Sequence, residues 1–158
     1  MIVLNENMLN VTSGILMHGV NCQGVMGSGI AAQIRSKWPV VFTDYEAYIS
    51  KMMRERGWFP DDFLGEVVLS EVSESLVIAS AFTQESFGRD KNRVYVSYYA
   101  IERVFMEAAE IAQELGLPLC FPKIGAGLAN GSWEKISEII SKVEGMVDVE
   151  FRLYDWQP

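Results

Sequence analysis

The chain has a single histidine, His18, and only two cysteines, Cys22 and Cys120, in 158 residues. With no close grouping of Cys, Asp and Glu around that histidine, the sequence predicts neither a metal site nor a bound cofactor. Two thiols are too few for a secreted disulfide framework, so a reducing, cytoplasmic compartment is expected. No apolar run approaches the roughly 20 residues of a membrane span, and "MIVLNENMLN" has no basic n-region, so neither a membrane nor a leader is expected. Positive charge is scarce as well. The 13 Lys and Arg against 21 Asp and Glu leave a net charge of −8, which excludes the broad basic surface of a general nucleic-acid binder. G-x-x-x-x-G-K-[ST] is also missing, which excludes a P-loop nucleotidase.

What remains reads as an ordinary globular chain, 49% apolar and 22% charged, long enough for one monomeric domain over residues 1–158 with a core of its own. Glycines and prolines punctuate alternating strands and helices. "MIVLN" and "GILMHGV" read as strands, and Gly29 to Lys37 as a helix that Pro39 stops. A second helix runs from about Val40 to Arg56, and "GEVVLSEV" and "SLVIASAF" follow as strands. Tyr98, Ile101, Phe105, Ala108, Ala112 and Leu115 lie three or four apart, one face of a long helix that Gly116 and Pro118 close. "LPLCFP" is a short buried strand. Ser132 caps a last helix striped by Ile136, Ile139, Ile140 and Val143, and "VDVEFRLYDW" ends the chain as a strand. This interleaving predicts an α/β fold with a mixed sheet between helical layers.

Two glycine loops carry the chemistry. "GVMGSGIAA" follows a strand and opens a helix, and "IGAGLANGSW" repeats the arrangement a hundred residues later. Glycine lets backbone N–H groups approach a ligand, and a helix N-terminus adds free donors and a favourable dipole. Two such loops beyond the C-terminal ends of strands suit a diphosphate. "GSGIAA" also fits the dinucleotide pattern G-x-G-x-x-A. However, the nearest acids, Asp44 and Glu46, fall in a helical stretch, and the loop before Gly27 is too long for that fold. Arg89, Lys91 and Arg93 form the one positive cluster, either a local anion site or a solvated loop.

"HGVNCQGVMGSGIAAQI" together with "FPKIGAGLANGSWEKISEII" resembles the macrodomains, α/β/α modules that bind ADP-ribose. The likeness covers essentially the whole chain. It is nearest the small ADP-ribose 1″-phosphate phosphatases, a branch that "SFG" at Ser86 to Gly88 also suits. It implies a three-layer α/β/α fold with a mixed central sheet of about six strands. It also implies a small-molecule ligand, ADP-ribose or ADP-ribose 1″-phosphate, held between the two loops.

In this resemblance Gly24, Val25, Met26, Gly27, Ser28, Gly29 and Ile30 form one wall, and Ile124, Gly125, Ala126, Gly127 and Leu128 the other. Asn7 stands where the family usually has an aspartate that accepts from the adenine amino group; Met8 covers the base, and Tyr154 or Trp156 stacks on it. Asn21 contacts the distal ribose, its amide bridging ribose hydroxyls and a water, and is with His18 the catalytic candidate. His18 either acts on the phosphate as a proton donor or water-orienting group, or holds a neighbouring loop.

The branch that removes ADP-ribose from acidic side chains uses a lysine after the fourth strand and an aspartate in the second loop. Here those regions read Thr83, Gln84, Glu85 and Ala129, Asn130, with Lys91 as a substitute only if its loop folds inward. Cys22 is a remote candidate nucleophile. The function expected is hydrolysis of ADP-ribose 1″-phosphate to ADP-ribose and phosphate. A non-catalytic ADP-ribose binding module, or an ADP-ribosyl hydrolase acting on modified macromolecules, are the alternatives.

Overall fold

Along each central strand, alternate side chains face opposite ways, so a strand apolar on both faces must be covered on both. β2 (Gly14–Asn21) and β4 (Leu76–Gln84) are such strands. In a computed structural model that describes residues 1–158, they lie at the centre of a six-stranded sheet. Its other members are β1 (Ile2–Leu4), β3 (Val67–Glu71), β5 (Leu119–Phe121) and β6 (Phe151–Tyr154), in the order β1-β6-β5-β2-β4-β3. Every pairing is parallel except β3 with β4. The sheet is therefore mixed, with its one antiparallel strand at an edge.

Helices α1 (Gly29–Lys37) and α2 (Pro39–Arg56) cover one face; Ile34, Val41, Tyr45, Ile49 and Met52 pack on Leu16, Val20, Ile78 and Phe82. Helices α3 (Tyr98–Leu115) and α4 (Trp133–Glu144) cover the other, where Ile101, Val104, Phe105, Ile136 and Ile140 meet Ile15, Met17, Ala79 and Phe121. The architecture is three-layer α/β/α. No helix is long and apolar enough to cross a membrane.

Local signals explain most element ends. Ser97 and Ser132 accept from the backbone N–H of Ala100 and Lys135, capping α3 and α4. Gly57 and Gly116 take the left-handed conformation that closes α2 and α3. Pro39 does more than stop α1. It is the first residue of α2, where its fixed φ and missing N–H are harmless, so Trp38 ends one helix and starts the next. The last strand is shorter than the alternation of "VDVEFRLYDW" predicts, Phe151–Tyr154 alone. Its two neighbours, β1 and β5, each supply only three residues for it to pair with. Two 3-10 turns, Met8–Asn10 and Pro60–Phe63, have no counterpart in the sequence reading.

β5, β2 and β4 are neighbours and run in one direction, so the segments after Phe121, Asn21 and Gln84 leave the sheet at the same edge. These are the two glycine loops and the polar loop that contains Arg89.

In the core under α3 and α4, Phe121 packs edge to face against both Phe105 and Phe151, with centroids 4.9 Å and 5.9 Å apart. All three are buried. Phe105→Ala is expected to destabilise the protein by about 3–5 kcal/mol, read as a lower urea midpoint, with a much smaller loss for Phe105→Leu.

Candidate functional site

The first glycine loop leaves β2 through Asn21, whose side chain braces the loop. Its Nδ2 donates to the Val25 carbonyl at 2.8 Å, and its Oδ1 accepts from the Gln23 N–H at 2.9 Å. Tyr45, fully buried in α2, pins the same turn. Its hydroxyl donates to the Asn21 carbonyl at 2.7 Å and accepts from the Gly24 N–H at 3.0 Å. Burial pushes the Tyr45 phenol well above its ordinary pKa, so it stays a neutral donor. Beyond this anchor, the N–H groups of Met26, Gly27 and Ser28 have no acceptor within the protein. Ser28, the N-cap of α1, makes no side-chain cap, which leaves the first-turn donors of the helix open too.

The second loop is built differently. Gly125 is in the left-handed region at φ 82°, and a Cβ there would fall 2.7 Å from Val96 Cγ2. Only glycine satisfies both the turn and the contact. The Ala126 N–H donates back to Lys123 and that of Asn130 to Gly127, whereas the Gly125, Gly127 and Leu128 N–H groups are free.

Between the loops lies a cleft of about 760 Å³. Its lining includes Asn21, Val25, Met26, Gly27, Ser28, Gly29 and Ile30 from the first loop and Ile124, Gly125, Ala126, Gly127 and Leu128 from the second. The two glycine loops, separate in sequence, thus share one crevice.

The remaining candidates lie outside its lining. Gly24 holds the base of the loop through Tyr45. Asn7 caps the first 3-10 turn, its Oδ1 accepting from the Leu9 N–H at 3.0 Å, and Met8 is buried in the core beside α2. Tyr154 is in that same core, and Trp156 is half exposed. His18 is fully buried, with Nε2 3.0 Å from Ser80 Oγ and no partner for Nδ1. Desolvation lowers its pKa from 6.5 to about 3, so the ring is neutral. The ring does not line the cleft, although its neighbour Gly19 does. Cys22 is buried outside the lining, and burial, with Glu85 and Asp61 nearby, pushes its thiol up to about 12. That excludes a ready thiolate nucleophile. Lys91 does not reach the cleft.

The cleft also contains Gly19, Thr83 and Lys123, which the sequence reading did not place there, together with Phe87 and Gly88 of the SFG stretch and Arg89 of the positive cluster. The register explains Thr83. Val20 pairs with Phe82 and Asn21 with Gln84, so Thr83 is an extra residue in β4. Such a bulge re-aims a side chain. Thr83 Oγ1 is buried with no partner, and a Cβ on Gly19 would fall 2.7 Å from it. Electrostatics set the cleft apart from the rest of the molecule. In a chain of net charge −8, its lining has no Asp or Glu, and its only charged side chains are the cations Arg89 and Lys123. The Lys123 ammonium is paired with Asp155 at 3.2 Å.

No family-wide sequence model matches the chain. An ADP-ribose 1″-phosphate phosphatase of Scheffersomyces stipitis is 31% identical to it, the match covering 89% of this chain and 87% of the yeast protein. The chain belongs to the macrodomain family. Solved folds agree. The macrodomain of Mycobacterium tuberculosis DarG superposes with a TM-score of 0.77 at 20% identity, covering 99% of this chain and 97% of that one. Thermosipho africanus DarTG in complex with ADP-ribose gives 0.75 at 18% identity, over 96% of this chain and 40% of its own. This macrodomain lies on the branch of the small phosphatases.

Two outcomes follow from the site. Tyr45→Phe leaves the Gly24 N–H without its acceptor, so stability should fall by about 1–3 kcal/mol, with faster hydrogen exchange at Gly24 and Val25. The second concerns pH. His18 is neutral when folded and takes a proton near pH 6.5 when unfolded, so the unfolded state binds more protons below that pH. Stability should therefore drop as pH falls from 6.5 toward 3, by up to roughly 1.4 kcal/mol per pH unit from this ring alone. Denaturant midpoints across that range should show a shallower slope in His18→Gln.

Proposed function

We propose that this macrodomain binds ADP-ribose and hydrolyses ADP-ribose 1″-phosphate to ADP-ribose and phosphate. One observation carries the reading: two glycine loops turn unsatisfied N–H groups into a single cleft that has cations and no carboxylate. A diphosphate satisfies such donors, and backbone amides do this inside an acidic protein without a basic surface. The similarity to a yeast ADP-ribose 1″-phosphate phosphatase supports the choice of substrate. The free, buried thiols of Cys22 and Cys120 suit a reducing cytoplasm, and the net charge suits a monomer that binds a small molecule rather than nucleic acid.

In the reaction, water adds to phosphorus, and the bond from phosphorus to the oxygen of the distal ribose breaks. That oxygen leaves with a proton, giving ADP-ribose and inorganic phosphate. Phosphoryl transfer passes through a loose transition state that rewards positioning and charge neutralisation more than covalent chemistry. The cleft is equipped for that. Arg89 supplies positive charge, and Asn21 at the end of β2 has one Nδ2–H beyond the bond to Val25. The Thr83 hydroxyl, unpaired at the floor, is available to a water or a ligand oxygen. His18 belongs to the scaffold in this scheme, holding β2 to β4 through Ser80.

A second reading, binding without turnover, is favoured by one feature: no imidazole, carboxylate or unpaired amine lines the cleft as a general base. Phosphate release decides between them. The wild type should liberate phosphate from ADP-ribose 1″-phosphate, and calorimetry should show ADP-ribose binding to the product-free protein. Binding with no phosphate release leaves the binding module. Absence of both overturns the cleft as an ADP-ribose site.

A further inference from the structure

We propose that Arg89 is the specificity-determining residue of the cleft, pairing with the phosphate monoester that distinguishes ADP-ribose 1″-phosphate from ADP-ribose. The inference rests on the reading of the cleft above and adds which side chain recognises the terminal phosphate.

The positive cluster of the sequence separates into three roles. Arg93 is spent on the protein, donating to Ser86 Oγ at 3.0 Å with its guanidinium 4.8 Å from the Tyr95 ring centroid. Lys91 is exposed and away from the cleft. Arg89 lines the cleft and has no hydrogen bond, ion pair or aromatic partner in the protein. Its nearest acids in sequence, Glu85 and Asp90, neither line the cleft nor pair with it. With Lys123 neutralised by Asp155, Arg89 is the one uncompensated charge in the lining.

The backbone on both sides of Arg89 is fixed. A Cβ on Gly88 would fall 2.3 Å from Tyr95 Oη, so this residue sits flat against the ring, and the Asp90 N–H donates to the same hydroxyl at 3.2 Å. Asn130, at φ 59°, donates from Nδ2 to the carbonyls of Asp90 at 3.0 Å and Arg93 at 2.8 Å. The loop is thus tied to the second glycine loop, and the side chain of Arg89 remains unengaged. The backbone is pre-set, so an arriving anion has to order only the Arg89 side chain.

Strand order decides which part of the ligand it meets. Lys123 follows β5, the first glycine loop follows β2, and Arg89 follows β4, so the two cations flank the free amides. The amides answer the diphosphate, and Arg89 stands past them on the β4 side. A phosphate monoester carries about −1.5 to −2 charges at pH 7, and a guanidinium binds it through two parallel N–H donors. The product lacks that group, so the same residue favours substrate over product.

The test compares Arg89→Gln and Arg89→Lys with wild type, in the full chain. Arg89→Gln removes an exposed side chain without protein partners, so folding should be retained, as circular dichroism would show. Its kcat/KM for ADP-ribose 1″-phosphate should fall about tenfold to a hundredfold, while its Kd for ADP-ribose stays within about twofold. Arg89→Lys should recover part of the loss, since it restores charge without the fork. Equal losses for both compounds, or no loss for either, overturn the proposal. If wild type releases no phosphate, the intact 1″-phosphate is titrated directly and the same ratio of affinities decides. If wild type binds neither compound, the reading of the cleft fails and this proposal fails with it.

Discussion

Parallel pairing of β5, β2 and β4 is the constraint on which the rest of the molecule depends. Strands that point the same way release their following loops at one edge, and neighbouring strands about 4.8 Å apart bring those loops within reach of one ligand. Two helical layers make this possible by burying both faces of the sheet. Without α1 and α2 on one side and α3 and α4 on the other, strands as apolar as β2 and β4 would have no stable place. The core therefore aims the loops, and Met26, Ile124 and Ala129 tie them back into it.

The cleft's chemistry is mostly main chain. Met26 to Ser28 on one side, and Gly125, Gly127 and Leu128 on the other, present amides with no internal acceptor. Side chains there work largely behind the surface. Tyr45 and Asn21 brace the first loop, while Asn130 and Tyr95 brace the third against the second. An acidic protein can accept an anion on these terms because its carboxylates are kept out of the lining, and the favourable field is local rather than global.

Much of this was readable in the sequence where the signal is local. The helix from Gly29 to Lys37, the serine cap at Ser132 and the glycine ends of the long helices each follow from a few adjacent residues. The glycine loops were readable because each joins a strand to a turn rich in glycine. What depended on register or depth was not. Thr83 enters the cleft through a bulge, a property of two strands paired out of step, which β4 alone does not encode. The surroundings of His18 and Asn7 were equally hidden in the sequence. Each carries a side chain suited to a ligand, yet one is covered by the sheet and its helices and the other turns its amide oxygen onto its own backbone. For Arg89, the cluster with Lys91 and Arg93 was visible, but which of the three faces inward is decided by Tyr95 and Asn130, distant in sequence.

The interior position of the one imidazole has a consequence for the molecule as a colloid. Side chains that change charge near neutrality are almost always histidines or activated thiols. Here the histidine is neutral down to about pH 3 and the Cys22 thiol is held up to about 12. The net charge of −8 is therefore nearly constant through the range in which cells acidify or alkalinise. Mutual repulsion between copies, electrophoretic mobility and salting behaviour should all be indifferent to such swings, whatever the pH does to the ligand.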